Sequence, residues 1–186
     1  MAETGESEFE VLDESVTLEE ELVRGYKAEH YYPVYIGEFF QDRYKVTGKL
    51  GPGSASNVWL CHDLLEDQQF VALKVHINSS KVHREPPVYR HIDGLHSKHK
   101  GSDYIRGLLD SFELDGSAGK HICLVHEALG INMEELKDLI PDGAFEPDLI
   151  RQTLREILRG MHFLRHDAHF IHTGGLRKTF SSQRVC

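Results

Sequence analysis

Two stretches of this sequence combine residue types that suit a polyphosphate. The first, Leu50-Gly51-Pro52-Gly53-Ser54-Ala55-Ser56-Asn57-Val58, sets two glycines in a segment flanked by extended chain. Lacking a Cβ, glycines let such a turn fold tightly and present backbone N–H groups to an anion. Val58, just beyond them, could cover a purine. The second, Val71-Ala72-Leu73-Lys74, carries one cation on an otherwise apolar strand. From there Lys74 would reach phosphate oxygens as a point charge.

A lone G-x-G is weak on its own. A dinucleotide-binding fingerprint needs a helix after the glycines, and here a strand follows. A P-loop needs Gly-Lys-Ser/Thr after the turn, and that is absent. The plainer alternative is a glycine hairpin with a snorkelling surface lysine. The placement of Lys74 mid-strand in VALKV, a short interval beyond the glycines, argues against it.

These residues must be held by short strands. Arg43–Leu50 alternates polar and apolar, Asn57–His62 is β-branched and aromatic, and Phe70–Ile77 follows a turn-like DLLEDQ. Three such runs with short loops predict an antiparallel meander. Asn78–Ser80 offers capping residues for a following helix, which Pro86-Pro87 must either interrupt or restart. Ile105–Leu114 and His121–Glu127 form a second strand pair around DGSAGK. Beyond it the pattern is helical: Met133–Leu139, then Leu149–Leu164 with apolar residues at period 3.6 and Pro147 at a first helical position.

Composition bounds the class. The chain has 186 residues, 40% hydrophobic and 27% charged, enough for one domain with a real core. No apolar run suits a membrane span, no basic stripe supports nucleic-acid binding, and the N-terminus is not a secretory signal. Three dispersed cysteines, Cys61, Cys123 and Cys186, argue against a disulfide framework and fit a cytoplasmic or nuclear protein. Of the 30 acidic residues nine fall within residues 1–22, so the formal charge of -9 belongs to the leader. Such a segment is expected to stay disordered, as a solvated leader or a partner-binding or autoinhibitory tail.

With these residues in view, the sequence resembles a protein kinase, and above all the SR-protein kinase family and its fungal members. Tyr32-Pro33-Val34-Tyr35-Ile36-Gly37-Glu38 and Asp42 to Gly51 resemble the entry to that family's first strand. Gly53 to Cys61 resembles its loop, with Ser56 at the third glycine position; Ile122 to Gly130 resembles its fifth strand and hinge. Phe170-Ile171-His172-Thr173 resembles the start of its catalytic loop. The resemblance implies an α+β fold: a five-stranded antiparallel N-lobe sheet with helix αC, plus an incomplete helical C-lobe. Residues 1–31 would be the leader, 32–128 the N-lobe, 129–173 the hinge side and first C-lobe helices, and 174–186 a non-homologous tail.

The resemblance also implies ATP as cofactor and, for an intact family member, Arg/Ser-rich protein substrates. Leu50, Gly51, Gly53, Ser54 and Val58 would line the phosphate and adenine side, with Ala72 above the ring. Lys74 would contact the phosphates and pair with a carboxylate on helix αC, as in the kinase template. Glu85 is the candidate for that carboxylate; alternatively it is an exposed helix-end group ahead of Pro86-Pro87. Glu127 and Leu129 would offer hinge backbone groups to adenine.

The pattern departs after Thr173. The family's catalytic Asp, its Lys two positions on and its magnesium-binding Asn five positions on correspond to Gly174, Leu176 and Thr179. Gly174 has no base to offer, Leu176 has no charge, and Thr179 is a poor stand-in for the metal-binding amide. The Asp-Phe-Gly site and activation segment are also missing, so the chain reads as a kinase broken at the catalytic loop by alternative splicing or a frameshift. The expected product is ATP-binding but not phosphate-transferring; the alternative is a non-catalytic regulator or a product without function. His162, His166 and His169 have a spacing open to a metal, but helix C-termini attract histidine anyway. The apolar face of Leu149–Leu164 would stay partly uncovered. Four such side chains left exposed forfeit about 6–12 kcal/mol, which predicts a marginal chain whose small lobe is better ordered than its helices.

Overall fold

A computed structural model describes residues 19–22, 25–53, 55–66, 69–78 and 85–170. Most of the acidic leader, Ser54, Ser79–Ser80 and everything from Ile171 onward, including His172, Thr173 and the tail, lie outside the described residues.

The sheet follows from the alternation. Its strands are β1 (Phe39–Phe40), β2 (Tyr44–Pro52), β3 (Ser56–Asp63), β4 (Gln69–His76), β5 (Asp110–Gly116) and β6 (Gly119–Glu127). All neighbours are antiparallel, in the order β1-β2-β3-β4-β6-β5. The α+β, kinase-like lobe is therefore present, with one correction. Five strands were expected and six are found, because Phe39–Phe40 adds a two-residue edge to β2, with Gly37 donating to the Val46 carbonyl at 2.8 Å.

Side chains of one sheet face build the core. Tyr44, Val46, Trp59, Cys61, Val71, Leu73, Cys123 and Val125 are buried there, and Phe40, Tyr32 and Val34 close over them. Burial in this apolar layer pushes the Cys61 thiol up to about 12 and Cys123 further in the same direction, so both are inert thiols. At the rim, Arg43 clasps Asp63 with two hydrogen bonds of 2.7 Å, and that guanidinium holds the carboxyl below its usual range.

The helices are α1 (Glu85–Gly94), α2 (Met133–Asp138) and α3 (Pro147–His166). Pro86-Pro87 sits in the first turn of α1, where a missing N–H costs nothing. Asn78 does not cap that helix. Its amide donates to the carbonyls of Glu29 at 3.2 Å and Ala118 at 2.9 Å, tying the 28–30 turn to the sheet. The strand expected from Ile105 begins only at Asp110, because Ser102–Tyr104 forms a 3-10 turn that packs under α3. Gly101 and Gly160 make that packing possible: a Cβ at Gly101 would overlap the Arg159 carbonyl oxygen. Phe163, 1% exposed, anchors α3 beside His99.

Among the described residues no helix is long and apolar enough to cross a membrane.

Candidate functional site

Strand pairing places the sequence-selected residues on the sheet face opposite the core. Directly opposed residues of antiparallel strands share a face, and so do residues two apart along a strand. Gly51 pairs with Val58, Val58 with Lys74 and Lys74 with Leu124, forming one row across four strands. The next row on the same face runs Leu60, Ala72, His126. Gly51 and Lys74 therefore stand in one row, with Val58 of β3 between them.

The turn is shaped by two register shifts in β2. They leave Thr47 and Leu50 as extra residues between paired neighbours, which bends and twists the strand. Leu50 is 54% exposed at the second of these bulges. Gly51 adopts φ +131°, a conformation that disfavours any side chain. The Gly53 N–H donates to the Ser56 carbonyl at 2.7 Å, closing the hairpin, and a Cβ on Gly53 would collide with Ser56 Oγ. Such a bare, curved backbone fits the close approach of phosphate oxygens. Val58 is half-buried and Ala72 buried, the apolar wall an adenine ring needs.

Lys74 meets its carboxylate. Nζ lies 3.2 Å from Glu85 Oε2, with the two side chains 30% and 40% exposed. Glu85 is the first residue of α1, and the double proline that follows it fixes where the helix begins. The partial exposure of both groups means that the pair adds little stability.

At the far end of the face, Glu127 closes β6, and its carbonyl accepts from Arg106 Nη2 at 2.6 Å. A carbonyl has a second lone pair, so this contact does not exhaust it. Leu129 follows in irregular chain, half-buried.

The sequence reading passed over two histidines on this face, His76 and His126, each 3% exposed. The signal was available in VALKVHI, where residue 76 shares parity with Lys74. His126 Nδ1 donates to the Gly107 carbonyl at 2.8 Å, and its ring meets Tyr89 of α1 edge-on at 5.3 Å. Burial pushes His126 down to about 4. His162 and His166 are engaged otherwise: His99 accepts from the Gly101 N–H through Nδ1 and so donates through Nε2 to His162 Nδ1, at 3.0 Å. His166 stacks on His162 with centroids 4.2 Å apart. Among the described residues no three His, Cys, Asp or Glu side chains are placed to share a metal.

The protein kinase domain family model matches residues 44–174. A serine/threonine protein kinase of Aspergillus fumigatus is 36% identical over 167 residues, 90% of this chain and 42% of the relative. Protein kinase dsk1 of Schizosaccharomyces pombe is 35% identical, over 86% of this chain and 30% of its own length. SRSF protein kinase 3 of Mus musculus is 34% identical, over 83% and 28%. The chain thus spans less than half the length of these relatives. With the lobe, the glycine turn and the Lys74–Glu85 pair already in place, the match is decisive: this chain belongs to the protein kinase family and is similar to serine/threonine kinases of the SR-protein kinase type.

Proposed function

We propose that this chain binds ATP on the Lys74 face of its sheet and, with Gly174, Leu176 and Thr179 at the catalytic-loop positions, does not transfer phosphate. The observation that carries the first half is the Lys74–Glu85 contact of 3.2 Å, with Lys74 in the same cross-strand row as Gly51 and Val58. Gly51 and Gly53 would admit the phosphates, joined by Ser54 through the resemblance; Leu50, Val58 and Ala72 would cover the base, and Glu127 and Leu129 would face its edge. Lys74 would hold phosphate oxygens, with Glu85 fixing its ammonium. ATP supplies the transferable phosphoryl group when bound. The second half rests on chemistry: glycine offers no base for a substrate hydroxyl, and threonine is a poor substitute for an amide on magnesium.

For a family member with a complete catalytic loop, we infer phosphorylation of Arg/Ser-rich proteins. Its support is similarity to a relative named as an SRSF protein kinase.

Calorimetric titration with ATP tests the binding. Lys74→Ala is expected to weaken it at least about tenfold, or about 1.4 kcal/mol. No heat from the unaltered chain would overturn the binding reading. Transfer of radiolabel from ATP to an Arg/Ser peptide should be blank, and turnover abolished by Lys74→Ala would overturn the inactivity.

A further inference from the structure

The strand that carries Lys74 presents a second polar side chain on the same face, two residues on. His76 is 3% exposed, and among the described residues neither of its ring nitrogens has a hydrogen-bond partner. Leaving a buried polar group unpaired is costly. One carboxylate stands close by: His76 Nε2 lies 3.9 Å from Glu85 Oε2, the same oxygen that sits 3.2 Å from Lys74 Nζ. Bringing the imidazole and carboxylate to hydrogen-bond length needs a shift of about 1 Å.

The surroundings keep the ring uncharged. Burial, then Lys74 and then His126, push its pKa down to about 3. The Ala55 carbonyl opposes that shift but reaches hydrogen-bond geometry with neither nitrogen. Among the described residues, Tyr89 and Glu85 of α1 and Arg106 are the other titratable and charged groups acting around Lys74, His76 and His126. A neutral imidazole can offer one N–H without repelling the ammonium beside it. The Lys74–Glu85 pair needs such help, because two side chains with a third of their surface in water do not hold one geometry alone.

We propose that His76 is a positioning residue of the nucleotide site: protonated at Nε2, it donates to Glu85 Oε2 and holds that carboxylate against Lys74. This rests on the reading of Lys74 and Glu85 as the ATP-aligning pair. His76 touches no substrate in this scheme and acts through Glu85.

Two measurements on the full chain test it. In histidine-labelled protein, 15N spectra should show His76 as the Nε2–H tautomer, and Glu85→Ala should shift that resonance. A wild-type tautomer protonated at Nδ1, or a resonance indifferent to Glu85→Ala, overturns the proposal. In ATP titrations, His76→Val, which suits a buried strand, should weaken binding about three- to tenfold, the worth of one hydrogen bond. In the Glu85→Ala background the same change should cost less than about twofold, and His76→Gln should restore part of the loss. Equal losses in both backgrounds would mark His76 as merely structural and overturn the proposal. If the unaltered chain binds no ATP, the nucleotide reading is what fails, and the spectra alone decide whether His76 holds Glu85.

Discussion

The sheet and α3 are both amphipathic, yet they meet water very differently. On the sheet, Tyr44, Cys61, Val71, Leu73 and Val125 are 0% exposed. On α3, Ile150, Leu154, Leu158 and Met161 are 42%, 52%, 62% and 41% exposed, and only Gly160 and Phe163 are buried. The sheet finds its cover within the chain, in Phe40, Phe112, Tyr32 and Val34. Among the described residues α3 packs on the 3-10 turn at Ser102–Tyr104 and beside His99, whose Nε2 donates to His162 Nδ1 at 3.0 Å, and just past its end Ser97 donates to Asp167 at 2.6 Å. Periodicity therefore reports what a segment is shaped to cover, and burial reports whether the cover is there.

The contrast is most sharply broken by paired truncations. Leu73→Ala should destabilise the sheet by about 2–5 kcal/mol, whereas Leu158→Ala should change stability by no more than about 0.5 kcal/mol. Urea denaturation followed at Trp59 reads both, and comparable losses would mean that the outer side of α3 is packed in solution.

Acid should find the sheet next. An unfolded histidine titrates near pH 6.5, but the fold holds His76 and His126 to about 3 and about 4. Below pH 6.5 the unfolded chain then binds more protons than the folded one. Stability is full above that pH and declines as the pH falls toward 4, by on the order of 1–3 kcal/mol at pH 5. Asp63 acts lower in the same direction: its depressed carboxyl contributes above about pH 4 and loses that contribution as the pH falls through its folded value. Urea midpoints between pH 7 and 5 check the histidine part, and a flat series would mean that both rings are solvated.

The smallest effect belongs to the helical side. Asn132 caps α2 by accepting from the Glu134 and Glu135 N–H groups, while Glu135 Oε2 accepts from the Asn132 N–H. Asn132→Ala should cost about 1 kcal/mol. Amide exchange should quicken within α2 and leave the sheet unchanged.

What could be read from the sequence was local. Alternation gave β2 to β4 to within two residues, and Pro147 marked the first residue of α3 because its ring suits that position. Lys74 stands out as the one cation on an apolar strand and Glu85 only through the resemblance, and their contact needs the chain to return from α1 to the sheet. What escaped was non-local. Whether Asn78 caps a helix or grips Glu29 and Ala118 depends on where the other strands lie. The two-residue β1 is too short to show a period. His76 and His126 looked scattered in sequence because only the register of β4 with β6 puts them on one face.

The joint at Gly101 carries a further consequence, for mutational access. Backbone there runs against the Arg159 carbonyl, with Gly160 facing Ile105 and Tyr104 across the gap. Every other residue brings at least a Cβ, so while α3 keeps its seat the alphabet at position 101 is one letter long. A scan of substitutions at 101 and at exposed Gly130 should separate cleanly: depletion at the first, tolerance at the second, with neither position carrying any chemistry.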